Sequence, residues 1–263
     1  MTDLYDLHFE LSNEDRVKIL ILLRKTPLNL TNISNTLDLR NQETSRHLSR
    51  LEETGLIAKN TDGTYLVTHF AELILRKQQE IDFLVEYRDY FNAHTLAEIP
   101  DELVSKIGML RKSDFINDVM ISFQNVQRVV DEAEEYIWRL TDQFMMIFLE
   151  HFVAATDRGV EYRLIYNKDI QLPPGSDSTV RMRPARDKGL FLSHTHMGVK
   201  AFMVMSEKEV AIISFPNSEG RFDYTGFTSK NEDMHKWCSD LFMSHWENKL
   251  PPLLLWKDIP YQK

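Results

Sequence analysis

The stretch RNQETSRHLSRLEETGLIAKNTDGTYLVT, Arg40 to Thr68, sets a short, polar, Arg-bearing helix in front of two β-capable runs with a charged tip. The helix is expected to start near Asn41 or Gln42 and to bury Thr44, Leu48 and Leu51, which recur at helical spacing. Gln42, Ser45, Arg46, Ser49 and Arg50 are then left facing outward. Gly55 should end it, because glycine takes positive φ at no steric cost. Beyond it, LIAKN and TYLVT are separated by Thr61, Asp62 and Gly63, and the Asp-Gly pair is a strong hairpin signal.

Upstream, SNEDRVKILILLRKTPLNL offers Ser12 as an N-cap followed by acids, and the spacing predicts a helix over 13–24 that buries Val17, Leu20, Ile21 and Leu23. Pro27 stops it, and Leu30, Ile33 and Leu37 predict a second short helix. Three small helices and a hairpin make a winged helix-turn-helix. Its exposed polar helix has about the width of the DNA major groove, and a charged tip beside it reaches phosphates or the minor groove.

Downstream, HFAELILRKQQEIDFLVEYRDYFNAH contains no Gly or Pro, and Phe70, Ile74, Lys77, Ile81, Leu84, Arg88 and Phe91 alternate at spacings of four and three. One long helix over 68–94 is expected, with a seam that either joins two protomers or packs back on its own domain. After Pro100 and LVSKIGML a helix is expected over 114–134. YIWRL, VEYRLIY, TVRMRP, VKAFMVMS and EVAIISF then read as strands, split by a helix over 142–158 and closed by one over 231–249. The fold class is α+β. The expected organisation is a winged helix over 1–68, a linker with dimerisation helices over 69–113, and an α/β effector or assembly domain over 114–263.

A chain of 263 residues is long enough for two compact units, and 43% hydrophobic with 27% charged residues excludes a disordered chain. The longest apolar runs, 19–23 and 199–205, are far shorter than the roughly 18 residues of a membrane span. The acidic N-terminus lacks the pattern of a secretory signal, and the single Cys238 has no internal partner, so the expected location is the cytoplasm. A net charge of −9 argues against a chain that coats nucleic acid indiscriminately. Residues 1–68 carry eight basic side chains (Arg16, Lys18, Arg24, Lys25, Arg40, Arg46, Arg50, Lys59) against ten acidic ones, a balance of 8 − 10 = −2. Within 40–50, however, three Arg face the single Glu43.

The segments SRHLSRLEETGLI and DGTYLVT resemble the winged-helix modules of prokaryotic transcription regulators of the ArsR/MarR-like kind. EIPDELVSKIGML, VDEAEEYIWRLTDQ, RGVEYRLIY, EVAIISFP and WCSDLFMSHWE extend the resemblance over nearly the whole chain, to archaeal regulators of the methanogenesis-regulatory-protein type. The resemblance implies a C-terminal effector or assembly domain, similar to the phospholipase D-like fold of archaeal sugar-responsive regulators and acting as a binding module.

The candidate DNA contacts are Gln42, Ser45, Arg46, Ser49 and Arg50: Gln pairs with adenine, Arg with guanine or phosphate, Ser with either. A solvated face that binds protein is the competing reading. His47, beside the buried face, reads as structural. Lys59 is a phosphate candidate at the wing, and Thr31 and Asn32 open the second helix where a phosphate or a simple capping role would fit. So few cations bind DNA weakly alone, which points to a homodimer on a palindrome.

Phospholipase D-like catalysis needs a His with a Lys two residues on, and no His here has one, so an enzyme is not expected. His194 and His196, with His245 or His151, lack HExxH or CxxC spacing and read as an exposed loop pair; no metal and no cofactor is expected. Arg181, Arg183, Arg186 and Lys188, with Arg163 and Lys200 on neighbouring strands, form a candidate site for an anionic effector. Trp138, Tyr162, Phe202 and Phe215 read as core. The sum is a dimeric regulator that binds double-stranded DNA. A protein-interaction scaffold and a phosphoester-processing enzyme with an appended winged helix are the alternatives.

Overall fold

The computed structural model describes residues 3–170 and 178–248. The chain divides into two compact units, Met1–Ile81 and Asp82–Lys263. The first begins with a helix the sequence pattern did not announce, α1 (Leu4–Leu11), started by a reciprocal capping box between Asp3 and Asp6. Ser12 is the last residue of that turn, and Asn13 caps the next helix, α2 (Glu14–Lys25), by accepting the Arg16 amide at 3.0 Å. The buried stripe of α2 is Arg16, Ile19, Leu20 and Leu23, whereas Ile21 is 49% exposed and Val17 half-buried, because α1 packs on α2 and draws the Arg16 side inward.

Asn29 caps α3 (Leu30–Leu37), which ends at Asp38 in the left-handed region. A short turn leads into α4 (Asn41–Glu53), whose buried residues are Thr44, His47, Leu48 and Leu51. Gly55 then turns the chain at φ 72°. The wing is β1 (Ile57–Lys59) paired antiparallel with β2 (Tyr65–Val67), and Leu28 adds a third short rung through reciprocal backbone bonds with Tyr65. Ile19, Leu20, Ile33, Leu48, Leu51 and Leu56 close the core beneath these elements.

The next helix, α5 (His69–Glu86), buries Ala71 and Leu75 in the core of the first unit and Phe83 in that of the second. It does not run to residue 94. The backbone breaks at Tyr87, and α6 (Arg88–Ala93) turns Tyr90 and Phe91 toward Phe227 at 5.1 and 5.9 Å between ring centroids. Aromatic burial in the second unit ends the expected seam.

The second unit continues with α7 (Asp101–Val104), β3 (Asp114–Ile116) and α8 (Val119–Glu132). The helix expected from residue 114 starts later because Asp118 caps it, accepting the Met120 and Ile121 amides, while Phe115 pairs with Phe227 in the sheet. Then come β4 (Tyr136–Thr141), α9 (Leu149–Asp157) and β5 (Glu161–Asn167). TVRMRP is not a strand: α10 (Ser178–Arg181) and α11 (Arg183–Asp187) occupy it, Pro184 suiting the first turn of a helix. The chain proceeds through β6 (Phe191–His196), β7 (Phe202–Ser206), β8 (Val210–Ser214), β9 (Gly226–Ser229) and α12 (Glu232–Glu247).

The seven strands form one sheet in the order β3-β9-β8-β7-β4-β5-β6, with β4, β5 and β6 parallel and the remaining pairs antiparallel. Alternation sorts the faces. Ile137, Tyr162, Leu164, Phe202 and Val204 pack with α8, α9 and α11; Leu140, Ile165, Met203 and Met205 pack with Trp237, Leu241 and Phe242 of α12. The whole is α+β. Among the described residues no helix is long and apolar enough to cross a membrane.

Candidate nucleic-acid interface

Helical geometry puts residues 42, 45, 46 and 49 on one face, and all four side chains of α4 at these positions are exposed. None of Gln42, Ser45, Arg46 and Ser49 spends its side chain on a hydrogen bond or ion pair among the described residues. The opposite face, Thr44, Leu48 and Leu51, is fully buried, so the helix is fixed by its core side and open on its polar side.

Arg50 departs from this pattern. Its Nε and Nη2 donate to Oε1 of Glu10 at 3.0 and 2.8 Å, and its guanidinium lies 4.9 Å from the centre of the Phe9 ring. Glu10 is 3% exposed and also pairs with Nε of buried Arg16 at 2.8 Å. Both arginines therefore serve to dock α1. Of the five helix residues expected at a DNA surface, four share one exposed face, and Arg50 beside them, its side chain 42% exposed, is paired with Glu10.

Other cations are likewise sorted. Arg24 is held bidentately by Glu72 at 2.8 and 2.7 Å, and Lys18 pairs with Glu14 at 2.7 Å. Lys25, Arg40, Arg46 and Lys59 carry no ion pair among the described residues. Arg40, immediately before α4 and at the start of the Arg-rich run, is exposed as well. Lys59 is exposed on the wing with its ammonium 5.4 Å from the Tyr65 ring centre. Thr31 and Asn32 are exposed in the first turn of α3, but the Asn32 amide is already bonded to Asn29 Oδ1 at 2.9 Å. His47 is buried, as expected for a structural residue; burial first, and the charge of Arg16 next, hold its ring below the ordinary imidazole range.

The residues expected to hold an effector are divided by the sheet. Arg163 on β5 pairs with Glu161 at 2.8 Å and lies between Trp138 and Trp246, 5.5 and 5.4 Å from their ring centres, on the α12 face. Arg181 pairs with Glu150 of α9, and α11, which carries Arg183, packs through Ala185 on the other face. Lys200 pairs with Glu98. His194 and His196 are not on a loop: alternation along β6 buries Thr195 and points the two rings toward Trp246 and His245, 4.7 Å away in each case. His151 is elsewhere, bonded to Asp131 at 2.7 Å.

Comparison with known proteins agrees at the level of the first unit. A family described as a helix-turn-helix domain matches residues 11–60, which span α2, α3, α4 and β1. The first unit is thus a winged helix-turn-helix, a DNA-binding class of domain. A search of curated proteins finds no match. Among solved structures, the archaeal chromatin protein TrmBL2, whose structure is described as showing a novel mode of DNA binding, is 16% identical over 93% of this chain and 96% of that one, with a TM-score of 0.42. Nuc from Salmonella typhimurium, a phospholipase D family member, is 14% identical over 48% of this chain and 86% of its own, at a TM-score of 0.36. NucT from Helicobacter pylori is 9% identical over 54% and 98%, at 0.40. Likenesses this remote carry no argument about function.

Proposed function

We propose that the chain is a DNA-binding transcriptional regulator that acts as a dimer, each copy laying α4 in the major groove of one half of a palindromic operator. The observation that carries this reading is the set Gln42, Ser45, Arg46 and Ser49: exposed, unpaired and aligned on a helix whose other face is locked in the core. Phe70, Leu73 and Ile81 of α5, which are 46, 63 and 57% exposed, fall within one face of that helix and supply an apolar seam for a second copy.

The second unit is read as a phospholipase D-like binding module without catalysis, because no His is followed by Lys two residues on. Arg163 and Arg181 lie on opposite faces of the sheet and are each paired with a glutamate, so an anionic effector would have to be held by fewer of the cations Arg163, Arg181, Arg183 and Lys200 than the sequence brings near one another. An effector with unequal affinity for two arrangements of the dimer would shift their populations.

The test is binding of the purified protein to its own upstream DNA and to scrambled DNA over a salt series, with sedimentation of the same samples. Wild type should prefer the upstream DNA as a dimer. Arg46→Ala should weaken that preference by about 1–3 kcal/mol, whereas Arg50→Ala should leave the preference intact. Equal binding to both DNAs, unchanged by Arg46→Ala, would overturn the reading, and a monomer on and off DNA would remove the dimer from it.

A further inference from the structure

We propose that Asp15, Glu43 and His47 form a binding site for a divalent transition-metal ion, set between α2 and α4 of the winged helix. Asp15 lies in the first turn of α2, and Glu43 and His47 are one turn apart on α4, so both project to the same side. One carboxylate oxygen from each acid and a ring nitrogen of His47 all lie within 4.8 Å of one another, with Glu43 Oε1 and His47 Nε2 3.9 Å apart.

A second observation separates this trio from an ordinary acidic cluster. His47 is 3% exposed, and neither Nδ1 nor Nε2 has a hydrogen-bond partner. Buried polar groups are nearly always satisfied, and a neutral imidazole nitrogen aimed at two carboxylates is satisfied by a metal ion that takes its lone pair.

The charge balance agrees. No Lys or Arg pairs with Asp15 or Glu43 among the described residues, and of the two cations whose charge acts on His47, Arg16 and Arg46, Arg16 is committed to Glu10 and to the Phe9 carbonyl at 2.8 and 2.7 Å. Two carboxylates and a neutral His carry −2, which a divalent ion cancels. An N,O,O donor set suits zinc, cobalt or iron, with a fourth position left for water. Bonds of about 2.0–2.2 Å place tetrahedral ligand atoms roughly 3.4 Å apart. The half-buried acids therefore need move inward by only about an ångström, within the reach of their rotamers, while His47 stays in place.

The ion would tie α4 to α2 from behind the Gln42, Ser45, Arg46 and Ser49 face, whether or not that face reads DNA. The experiment uses the full chain stripped with a chelator and titrated with Co²⁺, whose visible absorption reports tetrahedral nitrogen and oxygen ligation, and with Zn²⁺, read by the unfolding temperature. One ion per chain, visible bands and a higher unfolding temperature are expected. Asp15→Asn and His47→Gln should each lose at least roughly 10–100-fold in affinity together with the bands. His196→Gln, in the second unit, should change neither. Absence of bands and of a thermal shift in wild type, or bands and affinity retained in Asp15→Asn, would overturn the proposal; Asp15→Asn decides if His47→Gln does not fold.

Discussion

Glu10 is the residue whose loss tests most directly how the first unit is assembled. It is 3% exposed and holds two guanidinium groups, Arg16 at 2.8 Å through Oε2 and Arg50 at 2.8 Å through Oε1. Glu10→Ala would leave Arg16 buried without its carboxylate. Removing one partner of a buried pair costs about 3–5 kcal/mol. Arg16 retains the Phe9 and Glu10 carbonyls at 2.7 and 2.9 Å, so the lower end applies, and the Arg50 pair, 42% exposed on its cationic side, is left out of the sum. About 3 kcal/mol corresponds to roughly a 150-fold change in the opening equilibrium of α1. Amide hydrogen exchange reads that equilibrium, because an eight-residue helix has no stability of its own and its protection reports docking. The amides of Leu7 to Ser12 should exchange about two orders of magnitude faster in the variant. Exchange within about threefold of wild type would show that Leu7 and Leu11 hold α1 without the ion pairs, and the reasoning would fail.

Two further predictions concern the second unit. Arg128 donates to both carboxylate oxygens of Glu209 at 2.9 and 2.8 Å, and these bonds, against the opposing effect of burial, hold the Glu209 carboxyl below its ordinary value of 4.5. A lowered folded-state value contributes stability above about pH 4.5 that is lost as pH falls through it. Glu209→Gln should therefore be less stable at neutral pH and flatter in the acid range, read by Trp fluorescence on thermal unfolding; parallel profiles would refute it. Gly226 sits on β9 where an added Cβ would press on the carbonyl of Ile213 and come within 2.9 Å of its carbon. Gly226→Ala should cost about 3 kcal/mol, the upper end of the usual range for overpacking, in chemical unfolding, since backbone cannot yield as a side-chain tip can; a loss below about 1 kcal/mol would show that β8 and β9 separate freely.

The winged helix was legible because its signals are local. Pro27, Gly55 and the Asp62-Gly63 pair punctuate runs whose apolar spacing is short-range, and α2, α3, α4 and the hairpin fall where these residues put them. The failures have the opposite cause. Docking of α1 depends on Arg16 and Arg50, the latter forty residues distant from Glu10 in sequence, and only Asp3 and Asp6 mark the helix locally. The break at Tyr87 follows from where Tyr90 finds Phe227, a contact that no heptad count contains. In β6 the run SHTH looks polar, yet Thr195 is buried and His196 faces His245 on α12. Pairing with β5 decides it as a strand.

The site shows the same division between what spacing gives and what contacts take away. Spacing places residues 42, 45, 46 and 49 on one face, but it could not show that Arg50, offered with them, is paired with the buried Glu10. Counting eight cations in the first 68 residues overstates what is free for phosphate, because Arg16, Lys18, Arg24 and Arg50 are paired within the unit. Lys25, Arg40, Arg46 and Lys59 remain. Were all four to touch phosphates, a single copy would show a salt slope no steeper than about −3.6, and two copies about −7. A specific complex that survives physiological salt needs the steeper value or a larger share of base contacts, and the polar face of α4 holds only four side chains. That arithmetic, more than the apolar stripe on α5, is why the regulator reading demands two copies on one operator, and the salt series measures it directly.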